Sequence, residues 1–398
     1  MIFMKRMTIG AGLVLGLAAA LAGSSPALTK ERTPVIPNLE GKILTVTGPI
    51  DPAQAGITLM HEHVYILFKT PMSAAGDWKQ MTPAQRKLTR KALTKAPKDW
   101  SDAGVDPEWA KGPQFTPGWN TLDDFDVQLA EVNAFKQAGG GTIVDVSNFG
   151  LSRNPEFLQR ISAASGLNIV MGAGWYQKMF HARDMSVRTV EELTDILVHD
   201  ITVGAQETGI RSGIIGEIGV EGGPLTENEL KSARASARAS RITGAPMTFH
   251  VGGRTPEEKQ RILDIVAEEG VDLNHVVMGH NYSGDVEKMR AITSRGAYIE
   301  FDALAWGPNS MSPETVGKLT DSIVSLINGG LTDRILLAQD ICTQPQLKKN
   351  GGGGYAYIQN HVVPALKARG VSDAVIHRIT VENPTRVLTF VAPQARKV

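Results

Sequence analysis

Gly56-Ile57-Thr58-Leu59-Met60-His61-Glu62-His63-Val64 is a short apolar run that ends in two histidines flanking a glutamate. Ile57–Val64 reads as a buried strand. On a strand, side chains two apart point to the same side. Both imidazoles therefore project together at the strand end, and Glu62 points into the wall. A His-x-His pair placed this way suits one metal ion. Taken alone, it is also compatible with histidines satisfied inside a core.

The same unit recurs along the chain. Seven more short runs, Gly141–Ser147, Asn168–Trp175, Gly213–Val220, Pro246–Val251, His275–His280, Ala297–Ala303 and Ile335–Ile341, alternate with longer helical patterns. Thr189–Glu207, Thr226–Arg241, Pro256–Glu269 and Ser312–Asn328 are examples, and Gly270, Gly296 and Gly330 stand where helices should stop. A last helical pair, near Tyr355–Arg369 and Ser372–Phe390, closes the chain. The alternation predicts an α/β fold with a parallel sheet. Eight parallel strands with a helix after each predict a closed (β/α)8 TIM barrel, since an open sheet would still need its edges covered. Ile43–Ile50 alternates weakly and is expected to form a small strand ahead of the barrel. Lys69–Asn120 breaks the rhythm, with several prolines and Trp78, Trp100, Trp109 and Trp119. It is a long insertion after the first barrel strand, on the face where barrels keep their active sites, and reads as a lid or a structural flap.

Further ionisable residues fall at strand ends. His250 ends the fifth strand, His280 the sixth and Asp340 the eighth, while Glu217 lies in the fourth. Burying one such group without a partner costs several kcal/mol or more. Four histidines and two carboxylates on one rim are therefore costly unless metals occupy the centre. Six ligands are too many for a single zinc, which takes about four. Two divalent ions, bridged by Glu217 and a hydroxide, use them all; zinc is favoured, with manganese or cobalt also suited to the donors. Asp340 is placed to take the proton of that hydroxide. Trp175 and Tyr176 end the third strand and line either the pocket or the core. Lys348 opens a loop, Lys348 to Gly354, that is either a plain turn or a mobile segment meeting an anionic substrate group. His181 is expected at the surface, His199, His275, His361 and His377 are structural, and Cys342 is a small buried hydrophobe.

The remaining features bound the protein's class. Among 398 residues, Lys plus Arg (41) equals Asp plus Glu (41), so the basic excess of a nucleic-acid surface is lacking. With one cysteine, an intramolecular disulfide is excluded. Residues 1–27 run from Lys5 and Arg6 through an apolar stretch to Ser24, Ser25 and Ala27, the layout of a cleaved secretory signal. A linker, 28–42, and the barrel, 43–398, would follow. The expected location is periplasmic or secreted, without membrane attachment after cleavage. The expected partner is a small-molecule substrate, and a homodimer is compatible with the chain.

The chain resembles the phosphotriesterase family of the amidohydrolase superfamily from about Thr58 to Phe390. The resemblance rests on Gly56 to His63, Val144-Asp145 with Gly150-Leu151-Ser152-Arg153-Asn154-Pro155, Gly216-Glu217-Ile218-Gly219, His250, Gly279-His280, Asp340-Ile341 and Glu382-Asn383-Pro384. It implies His61, His63 and Asp340 on a buried metal, His250 and His280 on an exposed one, and a strand-four anion across both. Many members carry a carboxylated lysine there. Glu217 matches the subgroup called phosphotriesterase-homology or phosphotriesterase-related proteins. The Asp–His relay of true phosphotriesterases aligns with Ser283 and Ala303, and the arginine of lactonases is lacking near the seventh strand's end. The resulting expectation is a binuclear hydrolase of a small ester, lactone or amide. A phosphotriester or phosphodiester hydrolase is the first alternative, and a non-catalytic metal- or ligand-binding protein the second.

Overall fold

The computed structural model describes residues 35–67, 120–181, 184–220, 223–305 and 312–394. The expected signal and nearly all of the 69–120 insertion lie outside these residues. Among the described residues, no helix is long and apolar enough to cross a membrane.

The predicted leading strand is a hairpin. β1 (Ile43–Thr45) pairs antiparallel with β2 (Gly48–Ile50), and Gly48, at φ +122°, makes the reversal. Just after β1, the Val46 amide donates to the Ile169 carbonyl at 2.9 Å. The segment before the hairpin is also packed: Leu39 is buried and the Gly41 amide donates to Phe390. The last residues of the predicted linker thus belong to the folded body.

The eight barrel strands are β3 (Ile57–Glu62), β6 (Gly140–Asp145), β7 (Asn168–Ala173), β8 (Ile214–Gly219), β9 (Met247–His250), β10 (Val276–Met278), β11 (Tyr298–Phe301) and β12 (Ile335–Leu337). They form one sheet in sequence order, and each neighbouring pair is parallel. β4 (Ile66–Leu67) and β5 (Thr121–Leu122) are a small antiparallel pair beside it. The seam between β12 and β3 closes just past the strand ends. There the Asp340 amide donates to His61 at 3.0 Å and the His63 amide to Ile341 at 3.2 Å.

The helices are α1 (Phe125–Gln137), α2 (Pro155–Ser165), α3 (Val190–Thr202), α4 (Glu227–Thr243), α5 (Pro256–Glu268), α6 (Val286–Thr293), α7 (Pro313–Asn328), α8 (Val363–Ala368), α9 (Asp373–His377) and α10 (Asn383–Leu388). Thr189, Thr226 and Thr255 start α3, α4 and α5 in capping boxes with Glu192, Glu229 and Glu258, so the first free amides are bonded. α3 is shorter than the predicted 189–207 helix because Gly204, at φ +142°, ends it before a single 3-10 turn, Ala205–Glu207. In the last helical pair, Ile358–Val362 and Arg378–Glu382 are wider π turns. Each runs into a proline, Pro364 or Pro384, which has no amide to give the carbonyl four residues back.

Candidate metal centre

β3 and the residue just past it supply the first two side chains of the centre. Alternation turns His61 and His63 inward, 0% and 2% exposed. Glu62 turns to the wall, where its carboxylate accepts the amides of Gln339 at 2.9 Å and Ile341 at 3.0 Å. It thereby fastens the first strand to the segment that carries Asp340.

Glu217, in β8, is the hub of the centre. Its carboxylate lies 3.1 Å from His61 Nε2, 3.4 Å from His63 Nε2 and 3.9 Å from His280 Nε2. The residue before it has to be glycine. Gly216 has φ +153°, and a Cβ there would lie 2.3 Å from the Thr248 methyl and 2.6 Å from its carbonyl oxygen. His250 ends β9 with its ring centroid 3.9 Å from that of His280. Its ring nitrogens are 3.3 and 3.4 Å from the Gln177 amide nitrogen. Asp340 Oδ1 is 3.3 Å from His63 Nε2, and its side chain, 28% exposed, opens to solvent. His280 and Asp340 follow their strands in the left-handed region, at φ +51° and +48°. That conformation is uncommon outside glycine and asparagine-like residues, and it concentrates at functional sites.

All six residues expected as ligands therefore meet at one end of the barrel. Among the described residues, three buried sets could each hold a metal ion: His61, His63 and Glu217; Glu217, His250 and His280; and His61, His280 and Asp302.

Asp302 and its neighbour Glu300 are absent from the sequence-derived set, yet both are fully buried. They belong to the layer that orients the histidines. His61 Nδ1 is 3.2 Å from Glu300, His63 Nδ1 2.9 Å from the Ser147 hydroxyl and His280 Nδ1 2.9 Å from Asp302. Ser147 is held in turn by its own amide donating to Asp145, whose other oxygen accepts Val64 and Tyr65. Each Nδ1 partner leaves the matching Nε2 facing Glu217, the arrangement that metal-binding histidines need. Glu300 and Asp302 are spaced by two at the end of β11, as His61 and His63 are at the end of β3, and that spacing is the signal that could have revealed them.

The electrostatics fit cations. Burial alone would raise the Glu217 carboxyl, but the His61, His280 and His63 rings hold it well below the usual range. Burial lowers His63 and His280, yet Asp340 and Glu217 lift His63 to about 9, and Asp302 lifts His280 to about 10. Burial, then repulsion from His280, lowers His250 to about 3. The carboxylates thus favour positive charge in the centre, which a divalent ion would supply in place of the ring protons. The buried His280 Nε2 has no hydrogen-bond partner among the described residues and faces Glu217, as a ligand nitrogen would.

The remaining expected site residues fall at different distances from the centre. Tyr176 packs edge-on against His250, with centroids 5.1 Å apart, and so adjoins the metal centre. Trp175 stacks on Phe149 at 5.6 Å within the core. Lys348 is exposed, and its amide and that of Lys349 are fixed on the Glu131 carboxylate at 3.0 and 2.9 Å. His181 corrects the surface expectation: it is buried, and burial lowers its ring to about 4. His361 and His377 are exposed, and His199 and His275 half-buried. Cys342 is half-buried, and burial with the nearby Asp340 raises its thiol.

The model of the phosphotriesterase family matches residues 41–388. An N-acetyltaurine hydrolase of Xenopus tropicalis is 35% identical, over 89% of this chain and 99% of that protein. A resiniferatoxin-binding protein from Rhodobacter sphaeroides superposes with a TM-score of 0.72 at 34% identity, over 88% of this chain and 96% of that one. The phosphotriesterase homology protein of Escherichia coli, solved with phosphate in its active site, gives a TM-score of 0.68 at 27% identity, over 85% and 100% of the two chains.

Proposed function

The chain belongs to the phosphotriesterase family and is a metal-dependent hydrolase, and from that premise we propose that it cleaves a small acyl substrate, foremost an N-acyl amide of the N-acetyltaurine type. The observation that carries the reading is the buried Glu217 carboxylate lying within 3.1 to 3.9 Å of three histidines. His61, His63 and Asp340 would hold one divalent ion and His250 and His280 a second, with Glu217 shared between them. Such ions lower the pKa of water and polarise a carbonyl.

The chain's own residues do the rest. His61, His63 and Glu217 are buried, and Tyr176 gives the centre an aromatic wall beside His250. The Nδ1 partners hold the histidine rings in register while charge shifts in the substrate. Asp340 stays ionised, because the histidines around it offset its burial. Its carboxylate accepts the proton of the attacking water as that oxygen bonds to the carbonyl carbon. It then gives the proton to the leaving nitrogen as the carbon–nitrogen bond breaks, yielding a carboxylic acid and an amine.

The name of the Xenopus relative favours the amide. The phosphate in the Escherichia coli homologue favours a phosphoryl group as the second reading. Purified metal-loaded protein, assayed on N-acetyltaurine, an aryl acetate, a lactone and an aryl phosphotriester, separates the two. We expect kcat/KM for the amide or another acyl substrate to exceed that for the phosphotriester at least about tenfold, 1.4 kcal/mol in transition-state binding. A phosphotriester turned over fastest would contradict the proposal.

A further inference from the structure

We propose that Tyr282 is a positioning residue that commits Asp302 to His280 and so sets how tightly the His250/His280 side of the centre holds its ion. Tyr282 follows His280 by two residues, past the left-handed turn at His280, and its hydroxyl lies at the Nδ1 edge of the His280 ring. Three atoms form a closed triangle there. The Tyr282 hydroxyl donates to Asp302 Oδ1 at 2.8 Å, His280 Nδ1 is 2.9 Å from the same oxygen, and the hydroxyl is 2.8 Å from Nδ1. The other Asp302 oxygen accepts the His280 backbone amide at 2.7 Å.

Asp302 has a competing partner. Its Oδ2 is only 3.6 Å from His61 Nδ1, the nitrogen that Glu300 holds at 3.2 Å. A carboxylate between two imidazoles can rotate toward either one. The Tyr282 hydroxyl opposes that rotation by bonding the oxygen that faces His280. It thereby keeps the His280 Nδ1–H donating to Asp302 and the Nε2 lone pair toward Glu217. The tyrosine ring is partly exposed at 37%, so the hydroxyl, more than ring packing, ties it to the site. Partners of this kind typically change metal affinity 10- to 100-fold.

The inference rests on His280 being a ligand, and the test separates the two claims. The full chain, as parent, Tyr282→Phe and His280→Ala, is loaded with zinc and competed with a zinc chelator, and the thermal midpoint of each stripped protein is recorded. We expect Tyr282→Phe to give up its weaker-held zinc about tenfold or more readily, with the stripped midpoint unchanged. Zinc retention equal to the parent's, while His280→Ala loses zinc, would overturn the role of Tyr282. A zinc loss matched by a lower stripped midpoint would overturn it too, in favour of a purely structural contact. Parent-like retention by His280→Ala would instead remove the ligand assignment on which the proposal stands.

Discussion

At the scale of residues, Glu217 is the side chain on which the centre depends. It is buried and reaches three histidines at once. Glu217→Gln keeps the shape and removes the charge, and an amide is a poor bridge between cations. We expect metal content to fall and kcat to drop about 10²-fold, checked by elemental analysis beside steady-state rates. Full metal content with near-parental rates would move the bridging role elsewhere. The candidate ligands were legible because each is an ionisable residue in or at the end of an apolar strand. The supporting residues were harder to see. Glu300 and Asp302 meet the Nδ1 side of His61 and His280, away from Glu217, and Ser147 is a plain hydroxyl in a loop. Tyr282 depends on a left-handed turn at a histidine, which no residue type announces.

At the scale of elements, strand positions followed from apolar runs of the right length, and all eight appear where expected. What the pattern hid was the closure. The seam between β3 and β12 is not a full ladder; it is made by two backbone bonds past the strand ends and by Glu62, which accepts Gln339 and Ile341. A glutamate between two histidines has no sequence feature that names its partners some 280 residues away. Glu62→Gln turns one acceptor into a donor facing a backbone amide. A buried polar group left so mismatched costs about 1–3 kcal/mol. Urea unfolding of the metal-stripped protein should show a loss of that size. An unchanged midpoint would mean that the backbone bonds alone close the barrel. The helix ends diverged from expectation for local reasons, at Gly204 and before Pro364 and Pro384, where one residue's conformation or missing amide overrides a longer pattern.

At the scale of the whole molecule, the eight strands are a frame that carries side chains from β3, β8 and β9, and from just past β10 and β12, to one end of the barrel. No local segment could hold this centre alone, because its members come from five places far apart in sequence, and the three histidines that face Glu217 are oriented by Glu300, Ser147 and Asp302 from elsewhere in the chain. This assembly is proposed to hold two divalent ions. Elemental analysis of the purified full chain, reloaded with zinc or manganese and gently dialysed, tests it most directly. About two ions per chain are predicted, and at most one, even after reloading, would contradict a binuclear centre.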